Sequence, residues 1–325
     1  MDTGCKGPVG ALAYLQSLRC PTCKTGIMDL SNILTCLSCQ TNYPVIAGVP
    51  VLINDGNSVF ARADYSPGGN SFRGDSYGKS ADCTPPGLRR GYHKLAGYLL
   101  NFAISRSHLD AENALKLIQS RVLHPSVLVI GSGDASYEGT GAFTYTDVAF
   151  SGSASIICDA HDLPFPDAYF DFVIAVAVLE HVANPARCVE EIRRVLKADG
   201  CVYAATPFMQ PVHLGAHDFT RFTYLGHRRL FNSFDDEMSG MCLGPGAALA
   251  WSVQYFLTSL TDIKWLKAGL RLAALFLSLP LKLSDYLTRN KTSAIDGAAG
   301  VFFFGPKRAT PLSDRDIISL YRGGF

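Results

Sequence analysis

Between positions 127 and 206 the chain alternates short apolar runs with breaks at small or acidic residues. Val127-Leu128-Val129-Ile130 is too short for a helix and stops at Gly131-Ser132-Gly133, which predicts a buried parallel strand entering a tight turn. Phe143 to Thr146 stops at Asp147, and Ser155 to Cys158 stops at Asp159-Ala160-His161. Phe170 to Val176 leads to Leu179-Glu180-His181, and Val202 to Thr206 supplies a fifth strand. Between the last two, Asn184-Pro185 reads as a helix cap followed by proline in the first turn. Val189, Ile192, Val195 and Leu196 then form an apolar face, and Gly200 is expected to close the helix. Strands alternating with a crossover helix predict an α/β, doubly wound parallel sheet.

The flanks are less regular. Ala11 to Leu18 is a short helix-like segment, and Asn54 to Arg90 is rich in Gly, Ser, Asp and Arg, as a linker would be. Gly91 to Val122 carries two helical patterns, the second with Ala111, Leu115 and Ile118 on one face. Leu225 to Phe234 is expected to be a helix with His227, Arg228 and Arg229 outward, Met241 to Leu243 a sixth strand, and Gly300 to Gly305 a last one. An apolar, mostly helical insertion at about 247–288 separates those two strands and is interrupted by Asp262, Lys264, Lys267 and Arg271. The expected division is therefore 1–54, a linker at 55–90, and an α/β domain at 91–325.

Chemistry sharpens the picture at the amino end. Cys20-x-x-Cys23 and Cys36-x-x-Cys39 are separated by twelve residues, the spacing of a tetrahedral four-cysteine zinc ribbon. Four thiolates leave no open position, so Zn2+ would be structural and would fold a module too small to build its own core. The chain has ten cysteines and no secretion-type amino-terminal pattern, which leads us to expect a reducing, cytoplasmic setting. With 29 Lys plus Arg against 28 Asp plus Glu, it lacks the broad basic footprint of a protein that tracks a phosphate backbone.

Asp159-Ala160-x-x-Leu163-Pro164-Phe165-x-x-x-x-Phe170-Asp171-x-Val173, then Leu179-Glu180-His181, then Glu191-Ile192-Arg193-Arg194-Val195-Leu196 and Gly200, resemble the core of class I S-adenosylmethionine-dependent methyltransferases of the type 11 branch. The resemblance implies a mostly parallel seven-stranded sheet whose final strand is antiparallel. It also implies S-adenosyl-L-methionine as cofactor, with Gly131 and Gly133 lining its methionine part, Asp147 its ribose, and Asp159 with Ala160 its adenine; Glu180 would touch the methionine end or cap the next helix. This chain departs from the pattern at Val129, where an acidic residue is usual, and at Ala135, where a third glycine is usual. Only 13 residues separate Gly133 from Asp147 and 11 separate Asp147 from Asp159, so the first two crossover helices must be short or missing. Residues 17–53, including Tyr43-Pro44-Val45-Ile46-Ala47-Gly48-Val49-Pro50, resemble the small zinc-binding subunit that activates certain methyltransferases. That likeness implies a module masking an apolar surface of the enzyme, here in cis.

After the fifth strand, His213-x-x-Ala216-x-Asp218-x-x-Arg221-x-Thr223 resembles a signature of methyltransferases often associated with surface-glycan and secondary-metabolite pathways, with Ala216 in place of proline. His213, His217 and His181 are the candidate bases for a hydroxyl acceptor; a helix cap and an Asp218–Arg221 ion pair would explain the same residues without chemistry. The expected function is methylation, most simply O-methylation, of a small-molecule, glycan or lipid-linked acceptor. A ribosomal or transfer RNA methyltransferase and a non-catalytic zinc-ribbon scaffold are the rival readings, and nucleic acid is the less favoured partner. The apolar insertion leaves open a roof over the acceptor, a peripheral contact with the inner face of a membrane, or a homodimer.

Overall fold

The computed structural model describes residues 17–29, 33–65 and 109–324. Four short strands open the chain: β1 (Ile27–Asp29), β2 (Ile33–Cys36), β3 (Asn42–Ile46) and β4 (Val49–Leu52), each antiparallel to the next. Ala47 and Gly48, both at positive φ, make the two-residue turn between β3 and β4, the backbone form whose twist suits a tight hairpin. Helix α1 (Ala111–Arg121) is capped by Asp110, whose side chain accepts from the Asn113 N–H, and buries Ala114, Leu115 and Ile118.

The central sheet comprises β5 (Ser126–Ile130), β6 (Ala142–Asp147), β7 (Ile156–Cys158), β8 (Phe170–Val176), then helix α2 (Pro185–Val195) and β9 (Leu196–Pro207). Helix α3 (Tyr224–Leu230) and β10 (Met238–Leu243) follow. A helical hairpin, α4 (Pro245–Ser259) and α5 (Lys264–Leu283), is succeeded by the single turn α6 (Asp285–Thr288), by β11 (Gly300–Pro306) and by α7 (Asp314–Ser319). Spatial order is β7-β6-β5-β8-β9-β11-β10, parallel except for β11, which runs antiparallel to both neighbours. This is the α/β methyltransferase sheet. It has eleven strands rather than seven because β4 pairs in parallel with β7, joining Val51 to Ile157 and Leu52 to Cys158, and carries the three preceding strands with it.

Both faces of the sheet are covered, which explains why its strands are apolar throughout rather than alternating. Leu128 and Ile130 face α2, through Cys188, Val189 and Ile192. Val127 and Val129 face α1, through Leu115 and Ile118, and meet Phe172, Tyr203 and Phe302. Residues 131–155 contain no helix, so β5, β6 and β7 connect without the usual crossovers, as the short spacings require.

Expectations at two helices need correction. Helix α2 ends at Val195, not at Gly200, because Leu196 already takes extended backbone and starts β9. His227 and Arg228 are not outward: each is 2% exposed. Arg228 donates to the carbonyls of Phe231 and Phe234 at 2.5 and 2.8 Å, satisfying the helix end, and stacks on Phe303. Arg229 alone faces solvent, paired with Asp314. The Ala11–Leu18 segment and the first of the two helical patterns lie largely outside the described residues.

The stretch from Asn54 to Tyr65, expected to begin a linker, is packed. Phe60 and Tyr65 are buried with Ile53, Val51 and Ile157, and the Tyr65 hydroxyl donates to the Val148 carbonyl at 2.6 Å. Hairpin α4–α5 contrasts with this. Gly246 permits its close approach to α5, since a Cβ there would sit 2.2 Å from the Leu281 carbonyl oxygen. Its outer face leaves Phe256, Trp265 and Phe276 between 64% and 75% exposed. Among the described residues, no helix is long and apolar enough to cross a membrane.

Candidate functional site

At the carboxyl end of β5 the chain turns through Gly131 and Gly133, both at positive φ. A Cβ on Gly131 would lie 2.5 Å from Val178 Cγ2, whereas the space beside Gly133 is open. Asp147, at the end of β6, is 8% exposed; its carboxylate accepts from the Gly133 N–H at 2.7 Å and the Ala149 N–H at 3.1 Å. Burial raises its pKa and those two hydrogen bonds only partly offset the rise. Beside it Ser132 Oγ is buried without a hydrogen-bond partner. Glycines that admit a ligand to the backbone, a carboxylate at the next strand's end and an orphaned hydroxyl make a fitting cradle for the amino acid and ribose of S-adenosylmethionine.

Asp159 and Ala160 follow β7, and both are buried. Asp159 accepts from the His161 N–H at 2.9 Å, contacts His161 Nδ1 at 2.5 Å, and accepts from the Ser58 hydroxyl at 2.5 Å. Burial raises this carboxyl, but the hydrogen bonds from His161 and Ser58 outweigh it and hold the group below the usual range. Its oxygens are thus engaged within the chain, and any adenine contact at this strand end shares Asp159 with Ser58. The following loop is also held from the amino end: Lys24 Nζ lies 2.8 Å from Glu191 Oε2, Asn54 and Asn57 both donate to Asp162, and the Arg19 N–H donates to the Pro164 carbonyl. Ser58, Asn57 and Lys24 are contributors that sequence reasoning missed, since nothing local marks a serine a hundred residues away as a partner of Asp159.

Glu180 and His181 follow β8, and His213 follows β9. The structure brings these three together. His181 Nε2 and His213 Nε2 are 3.0 Å apart, and each is 3.6 Å from Glu180 Oε1. His181 Nδ1 donates to the His217 carbonyl at 2.8 Å, which leaves its Nε2 lone pair facing His213. Burial lowers the His181 pKa and keeps the ring neutral. His217 does not join the cluster through its ring, which stacks on Phe60 instead. Asp218 accepts from the His213 N–H at 2.7 Å and is clamped by both terminal nitrogens of Arg221, so the expected ion pair orders this loop. Glu180 and His213 line a cavity of about 540 Å³ together with Val176, Tyr203, Thr206 and Cys242, at the carboxyl ends of β8 and β9.

The second centre is the cysteine cluster. Cys20 and Cys39 sulfurs are 3.6 Å apart, Cys23 and Cys36 sulfurs 3.4 Å, close to the edge of about 3.8 Å in a tetrahedron of 2.3 Å zinc–sulfur bonds. Tyr43 Oη lies 3.1 Å from Cys20 Sγ, and the Ser38 and Cys39 N–H groups donate to Cys36 Sγ, which favours thiolates. This donor set fits a structural zinc.

Residues 143–204 match the family model described as a methyltransferase domain. The sheet order agrees with this match: residues 143–204 lie within a sheet of the α/β methyltransferase type. Among curated proteins, it is 47% identical over 49 residues to uncharacterized protein MJ1123 of Methanocaldococcus jannaschii, covering 15% of this chain and 24% of that one. It is 48% identical over 44 residues to the ubiquinone/menaquinone biosynthesis C-methyltransferase UbiE of Bordetella avium, covering 14% and 17%. The chain thus spans less than a quarter of the length of these relatives. Among solved structures, it aligns with a chain of the complex between the Haloferax volcanii Trm112 methyltransferase activator and a methyltransferase, at 17% identity and TM-score 0.37, covering 68% of this chain and 94% of that one. It also aligns with 1,6-didemethyltoxoflavin-N1-methyltransferase of Burkholderia thailandensis, at 11% identity and TM-score 0.38, covering 70% and 93%.

Proposed function

We propose that the chain is an S-adenosylmethionine-dependent methyltransferase that methylates a hydroxyl on an apolar or lipid-linked small molecule. The observation that carries the reading is the hydrogen bond from the Gly133 N–H to Asp147 at the ends of two adjacent parallel strands, at the same carboxyl-end edge of the sheet as a cavity lined by Glu180 and His213. Bound S-adenosylmethionine supplies an electrophilic methyl group. Gly131, Gly133 and Asp147 hold it, and Asp159 with Ala160 edges the adenine side. The chain's own contribution is position: cavity walls orient the acceptor beside the Glu180–His181–His213 cluster at the cavity edge. Arg221 and Asp218 keep the His213 loop in place.

The outer face of α4–α5 favours the lipid-linked class of acceptor. Trp265 and Phe276 are exposed, on a helix that also carries exposed Lys264 and Arg271 and is followed in the chain by exposed Arg289 and Lys291, with one exposed acid, Asp262, before it. An apolar ridge bordered by cations suits an anionic bilayer surface and would bring the cavity to a membrane-borne acceptor. Calorimetric titration of the zinc-replete protein with S-adenosylhomocysteine tests the core of the reading. Saturable micromolar binding is the expected result, and a folded protein that takes up none leaves a zinc-ribbon scaffold as the better account.

A further inference from the structure

Among the described residues, a buried acidic side chain without hydrogen-bond partners lies at the edge of the cavity. Glu180 has 0% exposure, and neither carboxylate oxygen has a hydrogen-bond partner. A buried carboxylate without donors is costly unless a cation faces it. Two imidazole nitrogens face it, His181 Nε2 and His213 Nε2, each 3.6 Å from Oε1. Since His181 spends its Nδ1 proton on the His217 carbonyl, the Nε2 it turns inward is an acceptor as well. One proton between the imidazoles would join them to each other and still leave the carboxylate alone.

We propose that Glu180, His181 and His213 bind a second metal ion, a divalent first-row transition ion of which zinc is the simplest candidate. The triangle formed by the three inward atoms, with sides of 3.0, 3.6 and 3.6 Å, has a circumradius of about 2.0 Å. One ion can therefore stand at a normal bond length of roughly 2.0–2.1 Å from all three at once. Two histidines and one carboxylate are a ligand set that zinc and non-haem iron(II) both accept, and three protein ligands leave at least one position open. The outer contacts suit ligands too: His181 is held through Nδ1 by the His217 carbonyl, and His213 Nδ1 faces Asp218 Oδ2 at 3.5 Å. The ligands come from the loops after β8 and β9, so an ion would tie together the two loops at the cavity edge.

Burial differs in a useful way. The Glu180 and His181 side chains are 0% and 4% exposed, whereas that of His213 is 31% exposed, so the cluster opens on the His213 side. An ion there would hold the acceptor oxygen and offset the charge that builds on it. On this role, which rests on the methyltransferase reading above, the imidazoles are ligands rather than bases. The acceptor O–H bond breaks with its proton passing to water at the cavity mouth, and the oxygen pair forms the new bond to carbon as the carbon–sulfur pair returns to sulfur.

The test is metal content of the full-length protein, reconstituted with Zn2+ or with Co2+ and dialysed. Two equivalents are expected in the wild type and one in each of Glu180→Gln and His213→Gln, with the thiolate-to-cobalt charge-transfer band of the cysteine site unchanged in both. His213 is partly exposed, so its substitution preserves the fold, which circular dichroism checks. One equivalent in the wild type, or two retained in His213→Gln, overturns the proposal. Titration with S-adenosylhomocysteine on the same samples separates the two readings: two metals without cofactor binding would leave the metal site standing and remove the enzyme, and the reverse pattern would do the opposite.

Discussion

Val51 of β4 pairs with Ile157 of β7 in parallel register, so the strand that follows the cysteine hairpins is also the edge of the methyltransferase sheet. Both residues are fully buried, and Phe60 and Tyr65 close over them. We infer that the ribbon shields an otherwise open sheet edge in cis, which an unpaired strand in water would expose to aggregation. Deleting residues 1–54 is expected to give insoluble or non-cooperatively unfolding protein. Chelating the zinc, or replacing Cys36 by Ser, is expected to lower Tm by about 10 °C or more, because metal binding here is folding free energy. Soluble deletion protein with an unchanged melting profile would remove the shielding role.

Gly131 and Gly133 differ in what surrounds them, which predicts unequal costs. Ala at 131 combines a left-handed backbone, worth about 1–2 kcal/mol, with a collision against Val178. Ala at 133 meets only the backbone penalty. Thermal melts should show Gly131→Ala clearly less stable, and calorimetry should show at least a tenfold loss of S-adenosylhomocysteine affinity for it. Equal melts for the two variants would contradict the packing argument.

Asp147 accepts two backbone N–H bonds, so its removal affects both the turn and any ligand on it. Asp147→Ala is expected to abolish measurable S-adenosylhomocysteine binding, a weakening of at least about a hundredfold, or roughly 2.8 kcal/mol at about 1.4 kcal/mol for each tenfold step. Asp147→Asn keeps one acceptor and should retain the fold with weakened binding. Undiminished affinity in the alanine variant would place the cofactor elsewhere.

His227 predicts a pH response. Burial holds its pKa down to about 3 against an ordinary 6.5. The folded state keeps the ring neutral while the unfolded chain protonates it below pH 6.5, so stability is fully present above that value and falls steadily towards pH 3. Replacing His227 by Leu, similar in size and also apolar, should move the acid-unfolding midpoint to lower pH. A midpoint that stays put would show that other groups govern acid unfolding.

The α4–α5 ridge predicts membrane behaviour. Vesicles containing a third phosphatidylglycerol should co-sediment the protein, while neutral vesicles should do so weakly, and 0.5 M salt should weaken the binding. Replacing both Trp265 and Phe276 by Asp should reduce co-sedimentation at least tenfold without shifting the melting curve. Failure to bind any vesicle, with a concentration-dependent dimer relieved by the same substitutions, would assign the ridge to a second copy instead.

Legibility in the sequence followed the range of the interactions. The apolar run at 127–130, the Asn184-Pro185 cap and the Cys-x-x-Cys pairs are local signals, and each element formed within a residue or two of where its pattern put it. The short spacings around Asp147 gave the absence of two crossover helices, because a chain of that length cannot hold one. The end of α2 was misplaced because Gly200 resembles a helix stop, while the pairing of Leu196 with Phe170 ends the helix earlier. Arg228 was misread because its charge suggests solvent, yet the carbonyls at the end of α3 and the face of Phe303 give it partners inside.

By itself, then, the sequence determined the elements, the order in which strands and breaks occur and the four-cysteine spacing that fits a zinc ribbon, since backbone preference, apolar periodicity and cysteine spacing act over a few residues. Tertiary structure alone decided that β4 extends the sheet, that Ser58 reaches Asp159, and that the ring of His213 rather than that of His217 meets Glu180 and His181. These depend on which strand ends and edges come together when both faces of the sheet are buried, and residues that distant in the chain carry no local mark of the partner they will meet.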